Sequence, residues 1–488
     1  FKHALTQEVA YESLLLERRS DLHERAARAI ERLFAGRLED HYEELAHHYG
    51  RSANRPKAIE YLRLVAQQAI QRSAHGEAIA SLTHALELLE HLTDGAARQQ
   101  QELLLRVTLV GPLTMTRGYA HPAVESACAR ALELCRRLGE APALFPILLG
   151  MWRVYVVRAQ YRRAHALAEQ LLEVARSAED PALLLGAHNA LGVTLFYLGD
   201  LAPARAHFEK AIRLYDPKLH SPLLSPLFRT GQDPAVACRF HQAWTLWLLG
   251  DPEQARASID AALELAQELS HPFTTAYAHL AVAILCQHLR ESPAMLEHAE
   301  VAIAIANEHG YVLWTALGKC LKGWALTSWE SRAETIEELR EGLEIYTSTG
   351  AALGRSYYES LLADVYRASA RAEDGLRVIE DALPATRTTG ELFYTAEFHR
   401  LKGELLLHSP GGGRDAEASF LRAIAIAREQ GARSLELRAA TSLSRLLGEG
   451  GRKGEAVDIL SRIYGWFTEG FDTADLREAK ALLEELSA

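Results

Sequence analysis

The stretch LGVTLFYLGDLAPARAHFEKAI, residues 191–212, decides the fold. It reads as an apolar helix that stops at Gly199-Asp200, followed by an amphipathic helix anchored on Ala204, with Phe208 and Ala211 four and seven residues further on. That spacing places all three on one helix face. The stretch QAWTLWLLGDPEQARASIDAAL, residues 242–263, repeats the pattern with Gly250-Asp251 as the stop and Ala255, Ile259 and Ala262 as the face. Pro252 falls in the first turn of the second helix, where its missing N–H costs little.

Working outward, the anchor recurs at Val124, Ala164, Ala204, Ala255, Met295, Thr335, Gly375, Ala416 and Ala456, at spacings of 40, 40, 51, 40, 40, 40, 41 and 40. Small residues at the anchor and mostly again seven beyond let two helices approach, and the side chain between them fills the groove. SARAEDG (369–375), SPGGGRD (409–415) and EGGRKGE (449–455) supply the later joints. A fixed period means hairpins that bury their apolar sides only against neighbours. The expectation is an all-α fold, an α-α superhelix of roughly 40-residue hairpins over 124–488. Residues 36–123 read as less regular hairpins, in which anchors Ala58 and Ala78 lie so close that two hairpins share one helix. The phase slips once, in the proline-rich insertion DPKLHSPLLSPLFRTGQDP (216–234), read as an ordered irregular loop.

Composition bounds the function. The 488 residues are 48% apolar and 24% charged, with a formal net charge of −11. Disorder is excluded over most of the length, and the acidic balance argues against nucleic acid or an anionic membrane as partner. Cys128, Cys135, Cys238, Cys286 and Cys320 form no CxxC pair and read as buried small side chains in a reducing compartment. No run of 18 apolar residues appears, so no membrane span is expected, and a cytoplasmic location is expected with the reducing compartment. The chain opens on Phe1 rather than Met, which reads as a piece of something longer.

Catalytic signatures are missing. There is no GxxxxGK[ST] phosphate loop, GxSxG elbow or HExxH helix. His41, His47 and His48 cluster in DHYEELAHHY without a third ligand at helical spacing, so no metal is expected. Carboxylate pairs such as those in IEELREGLE (336–344) read as solvated helix faces. The chain itself is expected not to be an enzyme and to hold no cofactor of its own.

Leu191, Gly192, Leu195, Ala204, Phe208 and Ala211 make the repeats resemble the tetratricopeptide family, with Pro217 one place beyond the usual proline. The period is longer than that family's usual 34. The resemblance implies that the first helix of each hairpin lines a concave groove. Inward positions would then include Arg153, Asn189, Tyr197, Phe240, Trp244, Trp247, Gln287, His288, Trp324, Tyr357, Asp364, Arg367, Arg400 and Glu404. Aromatics flanked by polar groups suit a peptide, a protein or a small effector. The competing reading is that the aromatics pack between helices.

The two ends, FKHALTQEVAYESLLLERRSDLHERAARAIERL (1–33) and YGWFTEGFDTADLREAKALLEEL (464–486), together with the repeats between them, resemble the C-terminal region of bacterial class III adenylate/guanylate cyclases that carry a STAND-type AAA ATPase module. That resemblance makes 1–35 the end of a winged-helix subdomain with its connecting helices. It places His3, in a short strand Phe1–Leu5, near the phosphates of ATP or ADP bound with Mg in the parent ATPase. The implied function is a non-catalytic regulatory sensor and protein-interaction domain, whose partners are its own ATPase and cyclase domains and an effector in the groove. The alternatives are a passive assembly scaffold and the sensor domain of a STAND-type transcriptional activator.

Overall fold

The structure, a computed structural model, describes residues 11–72, 74–220, 232–327, 333–409 and 411–488. His3, the strand expected at Phe1–Leu5 and residues 221–231 of the proline-rich insertion lie outside the described residues. By their contacts the residues divide into two units, Phe1–Met151 and Trp152–Ala488. The described residues are helical throughout, with no strand among them.

The first unit holds α1 (Leu16–Leu33), a 3-10 turn (Leu38–His41), α2 (Tyr42–Gly50), α3 (Arg55–Gln71), α4 (His75–Glu90), α5 (Ala96–Arg117), α6 (Pro122–Leu138) and most of α7 (Ala141–Val157). Asn54 starts α3 by accepting the Lys57 N–H at 3.3 Å, with Pro56 in the first turn. Helix α3 packs on both α2 and α4, and Ala58 and Ala78 are both buried. One helix therefore does serve two hairpins. Glu102 of α5 is buried and takes two guanidinium nitrogens of Arg130 at 2.9 and 3.0 Å. Those bonds hold its carboxyl below the usual range against the effect of burial.

The second unit continues with α8 (Tyr161–Ala178), α9 (Pro181–Leu198), α10 (Leu201–Leu214), the one-turn α11 (Pro217–His220), α12 (Pro234–Leu249), α13 (Pro252–Leu269), α14 (Pro272–His288), α15 (Ser292–His309), α16 (Val312–Leu326) and α17 (Ala333–Ser348). It closes with α18 (Arg355–Ala368), α19 (Ala372–Thr389), α20 (Thr395–Leu406), α21 (Gly413–Gln430), α22 (Arg433–Glu449), α23 (Lys453–Tyr464) and α24 (Ala474–Ser487). Hairpins stack in sequence order, and each leading helix touches the next leading helix: α9 on α12, α12 on α14, and so on to α22 on α24. All of the anchors, and the positions four and seven beyond them, are buried.

Leading and trailing helices differ as their environments require. Helix α13 buries one stripe, whereas α12 buries almost every side chain it has. For the same reason α9 is the one helix among the described residues long and apolar enough to cross a membrane by length and composition; most of it is buried inside the unit. Close approach sets the small residues. A Cβ on Gly192 would stand 2.5 Å from the Phe208 ring, and one on Gly403 would stand 2.4 Å from the Phe420 ring.

The superhelix of the second unit closes on itself. The Val157 carbonyl, ending α7, accepts the N–H groups of Ala352 and Leu353 at 2.7 and 3.1 Å. One hairpin later, Tyr197 accepts those of Leu392 and Phe393 at 2.8 and 3.4 Å. At the end of α12 the Trp247 carbonyl accepts the Ser434 hydroxyl at 2.5 Å. Three successive leading helices, α7, α9 and α12, thus end on the start of the leading helix five hairpins ahead, so five hairpins make one turn. Gly250 (φ +97°) turns the chain beside Arg433 in this seam, where a Cβ would lie 2.9 Å from the Arg433 side chain. Glu391, fully buried, accepts from Tyr161 Oη and from the N–H groups of Gly354 (3.0 Å) and Ser356 (2.9 Å). Burial pushes its pKa up while those bonds oppose the rise.

Where the period slips, the described ends of the insertion are joined. Tyr215 Oη donates to Asp233 at 2.6 Å. Asp233 also caps α12 through the N–H groups of Ala235 (2.9 Å) and Val236 (3.1 Å).

Two predictions follow from these packings. Gly192→Ala should destabilise the unit by about 1–3 kcal/mol, whereas Gly454→Ala, whose Cβ meets nothing within 4 Å, should be neutral or stabilising in chemical denaturation. Burial raises the Asp233 carboxyl to about 6 from 3.8, so the folded state prefers its protonated form. Stability relative to Asp233→Asn should therefore rise as pH falls from 7 through 6 towards 4, by an amount on the order of 3 kcal/mol. A flat difference between the two stability–pH curves would contradict it.

Candidate functional site

On the inner wall of the second unit the leading helices line a polar, partly open cavity of about 200 Å³. Gln287 and Arg290 come from the end of α14, Trp324 from α16, and Asp364 and Arg367 from α18. Helix α20 adds Glu397, Arg400 and Glu404; α22 adds Arg438, Thr441, Ser442 and Arg445; α24 adds Asp475 and Glu478. The repeat register explains the convergence, because Trp324, Asp364, Glu404 and Arg445 occupy one helix position at spacings of 40, 40 and 41.

Five arginines and five carboxylates face each other there. Arg400 grips Glu397 through two nitrogens at 2.7 and 2.9 Å and reaches Glu404 at 3.4 Å. Ser442 donates to Glu404 at 2.5 Å. Asp364 accepts Trp324 Nε1 at 2.9 Å on one oxygen and Arg367 at 2.9 Å on the other. Arg438 spans two turns: it pairs with Asp475 at 2.8 Å, donates to the His288 carbonyl at 2.6 Å and lies 4.8 Å over the Trp247 ring. Arg290 meets Asp475 at 3.3 Å and Glu478 at 2.5 Å, and Arg445 meets Glu478 at 2.6 Å.

Burial alone would raise the carboxyls of Glu397 and Glu478. Arg400 and Arg438 hold the first below its ordinary range, and Arg290 and Arg445 hold the second. The guanidinium groups of Arg400 and Arg438 are pushed further up by the same partners, against the effect of their burial. Pairing with arginines thus favours the ionised forms of Glu397 and Glu478 despite their burial.

The sequence-derived groove residues fall into three groups. Gln287, Trp324, Asp364, Arg367, Arg400 and Glu404 come together around the cavity. Tyr197, Phe240, Trp244, Trp247, His288 and Tyr357 are buried and pack on one another and on the following turn, in line with the competing reading that the aromatics pack between helices. Trp247 stacks on His288 at 4.4 Å, Phe240 meets Tyr277 edge-on at 4.5 Å, and Trp244 Nε1 donates to the Ala281 carbonyl at 3.2 Å. Arg153 and Asn189 are half-buried away from the cavity; Asn189 accepts the Cys238 thiol at 3.4 Å.

Missed at the sequence level were Arg290, Glu397, Arg438, Thr441, Ser442, Arg445, Asp475 and Glu478. Carrying the register one hairpin past Glu404 reaches Arg445, and one past Glu397 reaches Arg438. No such signal marks Asp475 and Glu478, which follow a joint outside the rhythm. In the first unit, His41 stacks on Phe34 at 3.9 Å, His47 takes Arg51 at 2.7 Å, and His48 pairs with His23 at 2.9 Å. Among the described residues no group of three His, Cys, Asp or Glu is placed to hold a metal ion.

One family match agrees with the hairpins of the second unit. The tetratricopeptide repeat model matches residues 185–216 and 236–269, which are α9–α10 and α12–α13. A protein of Rhizobium meliloti (strain 1021), itself uncharacterised, is 24% identical over 450 residues, covering 91% of this chain and 43% of that protein. The chain therefore spans less than half the length of the curated relative it matches. Among solved structures it is similar to a Rap protein complexed with competence and sporulation factor (TM-score 0.49, 13% identity, 82% of this chain and 99% of that one). It is also similar to yeast Tom70 (TM-score 0.33, 11% identity, 95% and 96%) and to the human IFIT1 dimer with m7Gppp-AAAA (TM-score 0.44, 15% identity, 88% and 90%). The fold and site define a tetratricopeptide-like helical repeat protein, of a kind suited to protein interaction.

Removing one partner from a buried pair leaves the others uncompensated. Arg438→Ala, which deprives Asp475 and the His288 carbonyl of a donor and Glu397 of a nearby charge, should cost about 3–5 kcal/mol in denaturant unfolding. Arg340→Ala, whose ion pairs with Glu337 and Glu344 are exposed, should leave the midpoint almost unmoved.

Proposed function

We propose that this chain is the regulatory, effector-sensing region of a larger signalling protein, with the axial cavity of its second unit as the effector site. The observation that carries the reading is that the cavity is built across the seam between turns: α14 and α16 belong to one turn, and α22 and α24 to the next. A ligand touching both walls has different contacts when the seam is closed and when it is loosened. Such a difference in affinity is what allows a ligand to shift a conformational equilibrium.

The parent we propose is a cytoplasmic protein of the class III cyclase type with a STAND-like ATPase, on the resemblance of the chain ends and repeats. The length of the Rhizobium meliloti relative, more than twice the stretch matched, leaves room for such domains. ATP or ADP with Mg would bind in those domains. The repeat region would pass its ligand state to them and would not itself catalyse.

The test uses the intact parent, loaded with ADP or with a non-hydrolysable ATP analogue, and measures effector affinity by titration calorimetry. A sensor predicts affinities that differ at least about fivefold between the two states. Equal affinities would contradict sensing and favour a passive scaffold.

A further inference from the structure

We infer that the axial cavity is a receptor site for a small organic anion, bearing a carboxylate or phosphate group, held by Arg290, Arg367 and Arg445. The inference rests on the reading of this cavity as the effector site and names the chemistry of its ligand.

The argument is an account of donors and acceptors. Around the cavity nearly every carboxylate oxygen is already engaged. Asp364 gives one oxygen to Trp324 and one to Arg367, and Glu397 gives both to Arg400. Asp475 gives one to Arg290 and one to Arg438, and Glu478 gives one to Arg290 and one to Arg445. Only Glu404 Oε2 has no partner among the described residues, since Ser442 and Arg400 both use Oε1. A cationic ligand would have to compete with a guanidinium or indole donor for every carboxylate oxygen but Glu404 Oε2.

Donors are in surplus. Arg290 uses only Nη1, Arg445 only Nη2, and Arg367 only Nε and Nη2. The remaining N–H groups of these three have no partner among the described residues. Their side chains are also the more exposed ones, at 47%, 35% and 43% for Arg290, Arg367 and Arg445, against 16% and 9% for Arg400 and Arg438. Carboxylates hold each of the three on one side, Asp475 and Glu478 for Arg290, Asp364 for Arg367 and Glu478 for Arg445. The N–H donors left on the guanidinium groups suit carboxylate or phosphate oxygens. The volume, about 200 Å³, is below the roughly 300 Å³ at which drug-sized pockets begin, so the fit is one small anion rather than a peptide.

The design also contains an internal competitor. Glu478 binds both Arg290 and Arg445, so an arriving anion shares them with it. Removing that charge should strengthen anion binding, because it frees two guanidinium groups; saturable binding to the unsubstituted chain is what separates a receptor site from a merely structural ion-pair network.

The experiment is titration calorimetry on the full chain with inorganic phosphate and with succinate, with putrescine and glycerol as cationic and neutral controls. Saturable binding of phosphate or succinate is expected. Arg445→Gln and Arg367→Gln should each weaken it about tenfold, and Glu478→Gln should tighten it severalfold. Thermal unfolding of each variant checks that the fold is retained, and Glu478→Gln keeps the test decisive if an arginine variant unfolds. No saturable anion binding, or anion binding indifferent to all three substitutions, overturns the inference. Saturation by putrescine or glycerol alone also overturns it, while leaving the effector-site reading intact.

Discussion

The second unit depends on one contact between turns: the carbonyl that ends a leading helix accepts the amides that open the leading helix five hairpins on. The register repeats faithfully, Val157 with Ala352 and Leu353, then Tyr197 with Leu392 and Phe393. Each bond contributes only about 1 kcal/mol. Their effect is geometric, because they set the superhelical turn at five hairpins and bring side chains some two hundred residues apart into register. The buried Glu391 adds a side-chain version of the same link between α8 and the start of α18.

Closure of the seam divides the inner wall into two environments. Towards its first helices the wall is aromatic, and the following turn covers it: Trp247, His288 and Arg438 form one stack across the seam. Towards its last helices the wall is ionic, and the paired guanidinium and carboxylate groups leave a cavity in place of a dry core. Desolvation offsets much of the energy of a buried charge network. Here the network joins α14 to α22 and α24 across the seam, and it leaves donors on three arginines unused.

The period and the hairpin fold were legible because burial of a helix stripe writes itself locally, at i, i+4 and i+7. Every anchor, including the atypical Met295, Thr335 and Gly375, is buried as that pattern requires. Six of the inward residues chosen by register, Gln287 through Glu404, share the cavity for the same reason. Closure was not legible, since it depends on a small rotation per hairpin that accumulates over five repeats. That is why Phe240 and Trp244, read as groove residues, are interior packing. Arg438 and Arg445 lay within reach of the register; Asp475 and Glu478 did not, because the joint at 465–473 departs from it.

The central claim is that the seam between turns is formed and cooperative, and hydrogen exchange at the amides of Ala352 and Leu392 tests it most directly. Both precede a helix, so neither has an intrahelical partner, and only the carbonyls of Val157 and Tyr197 protect them. The account predicts exchange as slow as that of the core of α12, governed by opening of the whole unit. Exchange at the rate of an open loop, with α12 still protected, would contradict it.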